Sequence, residues 1–193
     1  MRITGGTQKG KTIQTVKGQD VRPTSSKVRE SIFNIIQLNE AGTVFYEDET
    51  TILDLFAGSG IMGLEALSRG AKKAVFVEKN PHHSEIIRKN LLCHCEELAT
   101  KQSKTKLLTT DALKALDKIN EQFNFIFIDP PYASKLYEPV LKKIQANKIL
   151  SQEGFIILEH SSNLNLEEII EKTEFKIYKT KIYGDTGITI INY

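Results

Sequence analysis

Thr51-Ile52-Leu53-Asp54-Leu55-Phe56-Ala57-Gly58-Ser59-Gly60-Ile61-Met62-Gly63 is the stretch that decides the fold. TILDLF is an apolar run of strand length, and Ile61 to Ser68 reads as a helix stopped by Gly70. Between them Gly58, Gly60 and Gly63 satisfy G-x-G-x-x-G, a tight turn whose backbone can approach a ligand closely. Glu78 ends the next apolar run, Ala74 to Val77, where a carboxylate can accept both hydroxyls of a ribose. This much suits a nicotinamide dinucleotide equally well. Asp54 tilts the choice: at the strand end it would face a pyrophosphate unfavourably, but it suits the cationic amino group of a methionine moiety.

Outward from this motif the alternation continues. Strands are predicted at Lys106 to Thr109, Phe123 to Ile128 (FNFIFI) and Phe155 to Leu158, with a closing pair at Phe175 to Tyr178 and Ile188 to Ile191. Helices open at Pro81 and Pro139, and a further one runs from Leu166 to Lys172. Short apolar strands alternating with helices mean βαβ units and a mostly parallel sheet covered on both faces. The last two strands are separated only by the YGDTG region, too short for a parallel crossover, so the sheet should end in an antiparallel hairpin. The fold class is therefore α/β and Rossmann-like, with seven strands. Residues 1–23 read as a β-hairpin or extended arm, followed by a helix capped by Ser25 or Ser26 and carrying Val28, Ile32, Ile35 and Ile36. We divide the chain into a basic N-terminal extension, 1–40, and a main domain, 41–193.

The 193 residues hold 26 Lys+Arg against 24 Asp+Glu, and the near-balance hides an asymmetry. Residues 1–30 carry seven basic and two acidic side chains, a net of +5, which leaves −3 for the remainder. A basic arm on a mildly acidic body suggests contact with a polyanion, although a solvated lysine-rich tail has the same charge. No apolar run approaches the roughly 18 residues of a spanning helix, and MRITGGTQKGK lacks an apolar signal region. Cys93 and Cys95, two apart, would make a strained disulfide, so reduced thiols and a cytoplasmic location are expected. His82, His83 and His94 near these cysteines do not have zinc-ligand spacing, so no metal is expected.

Asp129-Pro130-Pro131-Tyr132 follows the fourth strand, at the sheet edge where such folds bind ligands. Two prolines stiffen the backbone and remove two N–H donors, leaving carbonyls to face a ligand without competing amides. The Asp129 carboxylate and the Pro130 carbonyl can accept both hydrogens of an exocyclic amine, while Tyr132 stacks on the base. An aromatic amine is a poor nucleophile because its lone pair is delocalised into the ring. Two acceptors aimed at its hydrogens favour a pyramidal nitrogen and stabilise the charge that develops on alkylation. Thr110-Asp111-Ala112 follows the third strand. Asp111 can accept from an adenine amine, with the Ala112 N–H at the ring edge, and it can also cap the following helix.

The motifs DLFAGSG, GLEALSRGA, VEKN, DPPY and YGDT, with the opening MRITGG, Arg22-Pro23-Thr24, Val28-Arg29-Glu30 and Phe33-Asn34, resemble the RsmD-type small-subunit ribosomal RNA guanine-N2 methyltransferases of bacteria. The similarity spans nearly the whole chain, and the N-terminal block is its most discriminating part. It implies a class I methyltransferase fold, S-adenosyl-L-methionine as cofactor, and one guanine, 966 in the usual 16S numbering, as target in the small subunit or its assembly intermediate. By position, Gly58 and Gly60 would form the cofactor loop, Glu78 would hold the ribose and Asp111 the adenine. Asp129 and Tyr132 would contact the guanine, and the block from Arg22 to Asn34 would close the methionine pocket and meet RNA. Ile61-Met62 and Thr4-Gly5 depart from the family pattern without touching the chemistry.

Guanine N2 must be unpaired or flipped out to be methylated. Arg2, Lys9, Lys11, Arg22, Lys27 and Arg29 are the candidate phosphate contacts. D-P-P-Y also allows methylation of adenine N6 or cytosine N4 in DNA. A nicotinamide-dependent oxidoreductase and a non-catalytic RNA-binding assembly factor are the readings from other classes. A monomer is expected.

Overall fold

The computed structural model describes residues 1–16, 25–37, 49–98, 104–131 and 135–193. Its framework is β1 (Thr51–Asp54), β2 (Lys73–Glu78), β3 (Lys104–Thr109), β4 (Phe123–Ile128), β5 (Leu150–Ser161), β6 (Lys176–Tyr183) and β7 (Thr186–Asn192). These strands form one sheet in the order β3-β2-β1-β4-β5-β7-β6. All neighbours from β3 to β5 pair in parallel, and β7 pairs antiparallel with both β5 and β6. The central strands are buried on both faces because helices cover both, which is why they read as continuous apolar runs.

One face packs on α1 (Ser26–Gln37), α2 (Ile61–Ser68) and α3 (Pro81–Leu98), around Ile32, Phe33, Leu67, Phe76, Phe125 and Ile157. The opposite face packs on α4 (Ala112–Leu116), α5 (Tyr137–Ala146) and α6 (Glu167–Ile170), around Leu53, Ile126, Val140, Leu141 and Ile156. Ser25 caps α1: its hydroxyl accepts from the Val28 N–H at 3.3 Å. Tyr137 begins α5, so Pro139 falls in the first turn, where its missing N–H costs nothing.

β5 is much longer than the FIIL core suggested. Its polar start pairs Leu150 with Phe123, then slips register before Phe155 meets Phe125. β6 extends to Tyr183, and its whole length is exposed or half-exposed, as befits an edge strand. The turn to β7 has two residues, Gly184 and Asp185, with positive φ only at Gly184 (60°), the pattern of a type II′ hairpin turn.

The first residues form a small hairpin, with an antiparallel bridge between Arg2 and Thr12 and the Ile3 N–H donating to the Lys11 carbonyl at 3.0 Å. It docks on the main body. Ile3 and Ile13 bury against Ile61 and Leu64 of α2. The Thr7 N–H donates to the Ser68 carbonyl at 2.7 Å, and Asn90 of α3 pairs with the Gln14 backbone in both directions, at 2.8 and 2.9 Å. A side chain on Gly6 would sit 1.9 Å from the Ser68 carbonyl oxygen, so this approach requires glycine.

Candidate active site

A cavity of about 230 Å³ opens beyond the C-terminal ends of β1, β2, β4 and β5. Gly58 lines its floor, and the loop there turns through positive φ at Gly58 (54°) and Gly60 (81°). Gly63 has another role: a Cβ there would lie 2.2 Å from the Phe76 ring, so α2 can seat against β2 only through a glycine. Asn90 Nδ2 donates to the Ser59 carbonyl at 2.9 Å and holds the loop from α3.

The strand ends deliver five carboxylates to this cavity: Asp54, Glu78, Asp111, Asp129 and Glu159. Among the described residues Lys79 is the one lysine on its wall, and His83 stands 3.6 Å from Glu78. Glu78 anchors the loop, with Oε2 accepting from the Gly58 N–H at 2.9 Å and Oε1 from the Asn80 N–H at 2.8 Å. Asp111 caps α4, its Oδ1 accepting from the Leu113 and Lys114 amides at 2.9 and 3.4 Å, while the residue still lines the cavity beside Ala112. The cap foreseen for it is thus present, and the residue also has a place on the cavity wall.

Asp54 is buried, and its Oδ2 accepts from the Gly63 N–H at 3.3 Å. Burial, reinforced by the nearby Glu78 charge and only partly offset by that hydrogen bond, pushes its pKa up to about 7. Asp129 is raised well above the ordinary carboxylate range by burial first, then by the charges of Glu159 and Asp54. Pro130 and Pro131 line the wall next to it. Tyr132 and Arg22 lie outside the described residues. Glu159 is buried on the cavity wall beside Asp129. Tyr137 is buried and donates its hydroxyl to the Glu159 carbonyl at 2.8 Å.

Of the predicted phosphate contacts, Arg2, Lys9 and Lys27 are exposed and Lys11 is half-buried. Arg29 is a correction. Its side chain is fully buried and donates to the Arg2 carbonyl at 2.7 Å and the Ser26 hydroxyl at 3.3 Å, with Nε 4.0 Å from Glu65. Burial lowers its pKa, against the opposing pull of Glu65 and Glu159. It cannot reach a phosphate. Glu65 was missed altogether: this buried acid accepts from the Thr4 N–H at 2.8 Å, the Thr4 hydroxyl at 2.7 Å and Arg69 Nε at 3.1 Å, tying the hairpin to α2. Also missed were Met1, Thr15 and Val16, which close one side of the cavity.

The family model described as conserved hypothetical protein 95 matches residues 1–192. The Bacillus subtilis protein YlbH is 36% identical over 190 residues, covering 98% of this chain and 97% of that protein. Escherichia coli ribosomal RNA small subunit methyltransferase D is 27% identical over 197 residues, covering 96% of this chain and 93% of that one. The solved structure of Escherichia coli yhhF superposes with a TM-score of 0.78 at 27% identity, over 99% of this chain and 96% of that one. With a Rossmann-like sheet closed by an antiparallel hairpin, a glycine loop and an acid-lined cavity, the chain belongs to the conserved hypothetical protein 95 family, the RsmD-type methyltransferases.

Proposed function

We propose that this protein methylates the exocyclic N2 of one guanine in the 16S rRNA of the small ribosomal subunit, using S-adenosyl-L-methionine. The observation that carries the reading is the charge of the cavity: among the described residues, five carboxylates and a single lysine surround a glycine loop that ends beside Asp129-Pro130-Pro131. A dinucleotide's pyrophosphate would meet repulsion there, whereas a ligand with a sulfonium, an ammonium and a ribose finds an acceptor for each. The RNA target rests on the names of relatives such as the Escherichia coli enzyme, and the guanine atom on the resemblance of the N-terminal block.

Residue roles follow from position. Glu78 spends one lone pair per oxygen on the Gly58 and Asn80 amides, which leaves each oxygen able to accept from a ribose hydroxyl. Asp111 keeps Oδ2 available for an adenine amine. Asp54, at the base of the loop, faces the ammonium. The cofactor supplies an electrophilic methyl group.

Asp129 and the Pro130 carbonyl orient the guanine amine and accept its two hydrogens. Burial first, and then neighbouring negative charge, raises Asp129; a bound cation opposes the second of these and favours the accepting, ionised carboxylate. The methylated amine is strongly acidic and needs no strong base to lose its proton. Buried Glu159 lies beside Asp129 and adds to the negative potential that favours positive charge on the reacting nitrogen.

The test is transfer of labelled methyl to small subunits or assembly intermediates from cells lacking this protein, followed by nucleoside analysis. Label in N2-methylguanosine of 16S rRNA is expected. Label in another nucleoside overturns the target, and absence of both label and cofactor binding overturns the cofactor.

A further inference from the structure

Beside α1, on the outer edge of the sheet, lies a groove that the catalytic reading leaves unused. Its walls are Lys27, Glu30, Ser31 and Asn34 from α1 and Lys179 and Lys181 from β6. The three lysines make no ion pair among the described residues, and Glu30 is the one acid on the groove wall. A bulge in β6 between Ile177 and Lys179 re-aims the strand, so that Lys179 and Lys181 share the α1 side of the sheet. The groove is fastened at its far end by the hydrogen bond between the Ser31 and Tyr183 hydroxyls.

Register ties this groove to the active site. Asp129 follows Ile128, which pairs with Leu158, so it stands beside Glu159. Glu159 pairs with Ile188, and Ile188 pairs with Lys181. Lys181 thus lies in the same row as Asp129, three strand spacings or roughly 14 Å away. β6 runs in the direction of β4 and β5, so the groove leads towards the ends of the strands that hold the carboxylates. Tyr178, half-exposed and edge-on to Phe155, adds an aromatic surface next to Lys179. Lysines on an edge strand also discourage edge-to-edge pairing, but that purpose would not require them to face Lys27 across a groove.

We propose that the groove between α1 and β6 holds the phosphate backbone of the rRNA flanking the target guanine, with Lys179 and Lys181 joining Lys27 as phosphate contacts. This rests on the RNA-methyltransferase reading and adds to it a second basic surface, remote in sequence from the basic arm. Lysines beside an aromatic side chain suit single-stranded nucleic acid, whose backbone tracks the charge while bases find a stacking surface.

The test is the salt dependence of binding to small subunits and to protein-free 16S rRNA, for wild type and for the double variant Lys179→Ala/Lys181→Ala. Both side chains are exposed, so the fold should survive. Expected for the variant are affinity about tenfold lower and a log–log salt slope shallower by roughly 1.4, that is about 0.7 for each single-strand phosphate contact. KM for the particle should rise while kcat and cofactor affinity hold, and Lys179→Arg/Lys181→Arg should restore binding. An unchanged affinity and slope overturns the proposal. So does a loss confined to particles with naked rRNA bound normally, which would assign the groove to an acidic ribosomal protein. A shallower slope on rRNA without any N2-methylguanosine leaves the groove standing and overturns the proposed reaction instead.

Discussion

At the ends of β4 and β5, Asp129 and Glu159 crowd together with Asp54 in surroundings that resist ionisation; further along the same sheet, Lys179 and Lys181 stand in water. The two regions carry opposite charge and also obey different physics. Asp54 and Asp129 feel neighbouring carboxylates because little solvent lies between them, so removing one changes the others. The lysines at the edge act almost independently and are screened by salt. Single substitutions should therefore have large, specific effects in the cavity and small, additive ones at the edge.

The sharpest way to break this contrast is Asp129→Ala. Methyl transfer should fall by roughly 10²–10³-fold or more, because one of two preorganised acceptors is lost, while isothermal titration shows cofactor binding preserved. Retained full activity would remove the chemical centre of the reading.

Asp54 tests the low-polarity side of the comparison through pH. Its folded-state pKa is raised to about 7, above an unfolded value near 4, so the folded protein binds the proton more tightly. The stability this confers is fully present below about pH 4 and is lost as pH rises through about 7. Asp54→Asn removes that loss. Its melting temperature should exceed wild type at pH 8, by a stability difference on the order of 3 kcal/mol, and match it at pH 4. Cofactor binding should weaken in the same variant, since the ammonium loses its counter-charge.

Glu78→Ala should cost about 3 kcal/mol of cofactor affinity, roughly 100-fold, read by titration. The loss has two parts, the ribose contacts and the anchoring of the Gly58 and Asn80 amides. Glu78→Gln should recover much of the anchoring and less of the binding. Smaller again is Arg29→Ala, expected to lower stability by about 2 kcal/mol in urea denaturation by leaving Glu65 and the Arg2 carbonyl short of a buried donor. Its salt slope for rRNA binding should stay at the wild-type value, whereas Lys27→Ala should flatten the slope and leave stability unchanged. These two neighbours on one helix turn reproduce the molecule's larger division in miniature.

The sequence showed the strands that are buried on both sides, because FNFIFI and TILDLF have no other stable environment. It also showed the motif positions, since glycines and prolines mark turns by backbone constraint alone. Where an element is half-exposed its ends were hidden: β5 opens with Leu150 and then the polar Ser151-Gln152-Glu153, and of β6 only the stretch up to Tyr178 was expected as strand, because Lys179-Thr180-Lys181 makes no apolar run. Arg29 was misread because charge was weighed before position. It lies four residues before Phe33 and three before Ile32, on the helix stripe that faces the sheet. Glu65, between buried Leu64 and Ala66, carried a similar signal and has a local partner in Arg69 four residues on, but its other partners come from the distant Thr4 and Arg29, which no local pattern reveals.

The order β5-β7-β6 has a consequence in time. As the chain leaves the ribosome, the strands that carry Asp54, Glu78, Asp129 and Glu159 have all been made before β6 appears. β6 then has no neighbour to pair with until β7 follows and fills the place between it and β5. At synthesis rates of about 5–20 residues per second, β7 follows β6 within seconds, and until it does the lysine strand has no seat in the sheet. Synthesis of β7 completes the sheet, and only then does the Tyr183 hydroxyl meet Ser31.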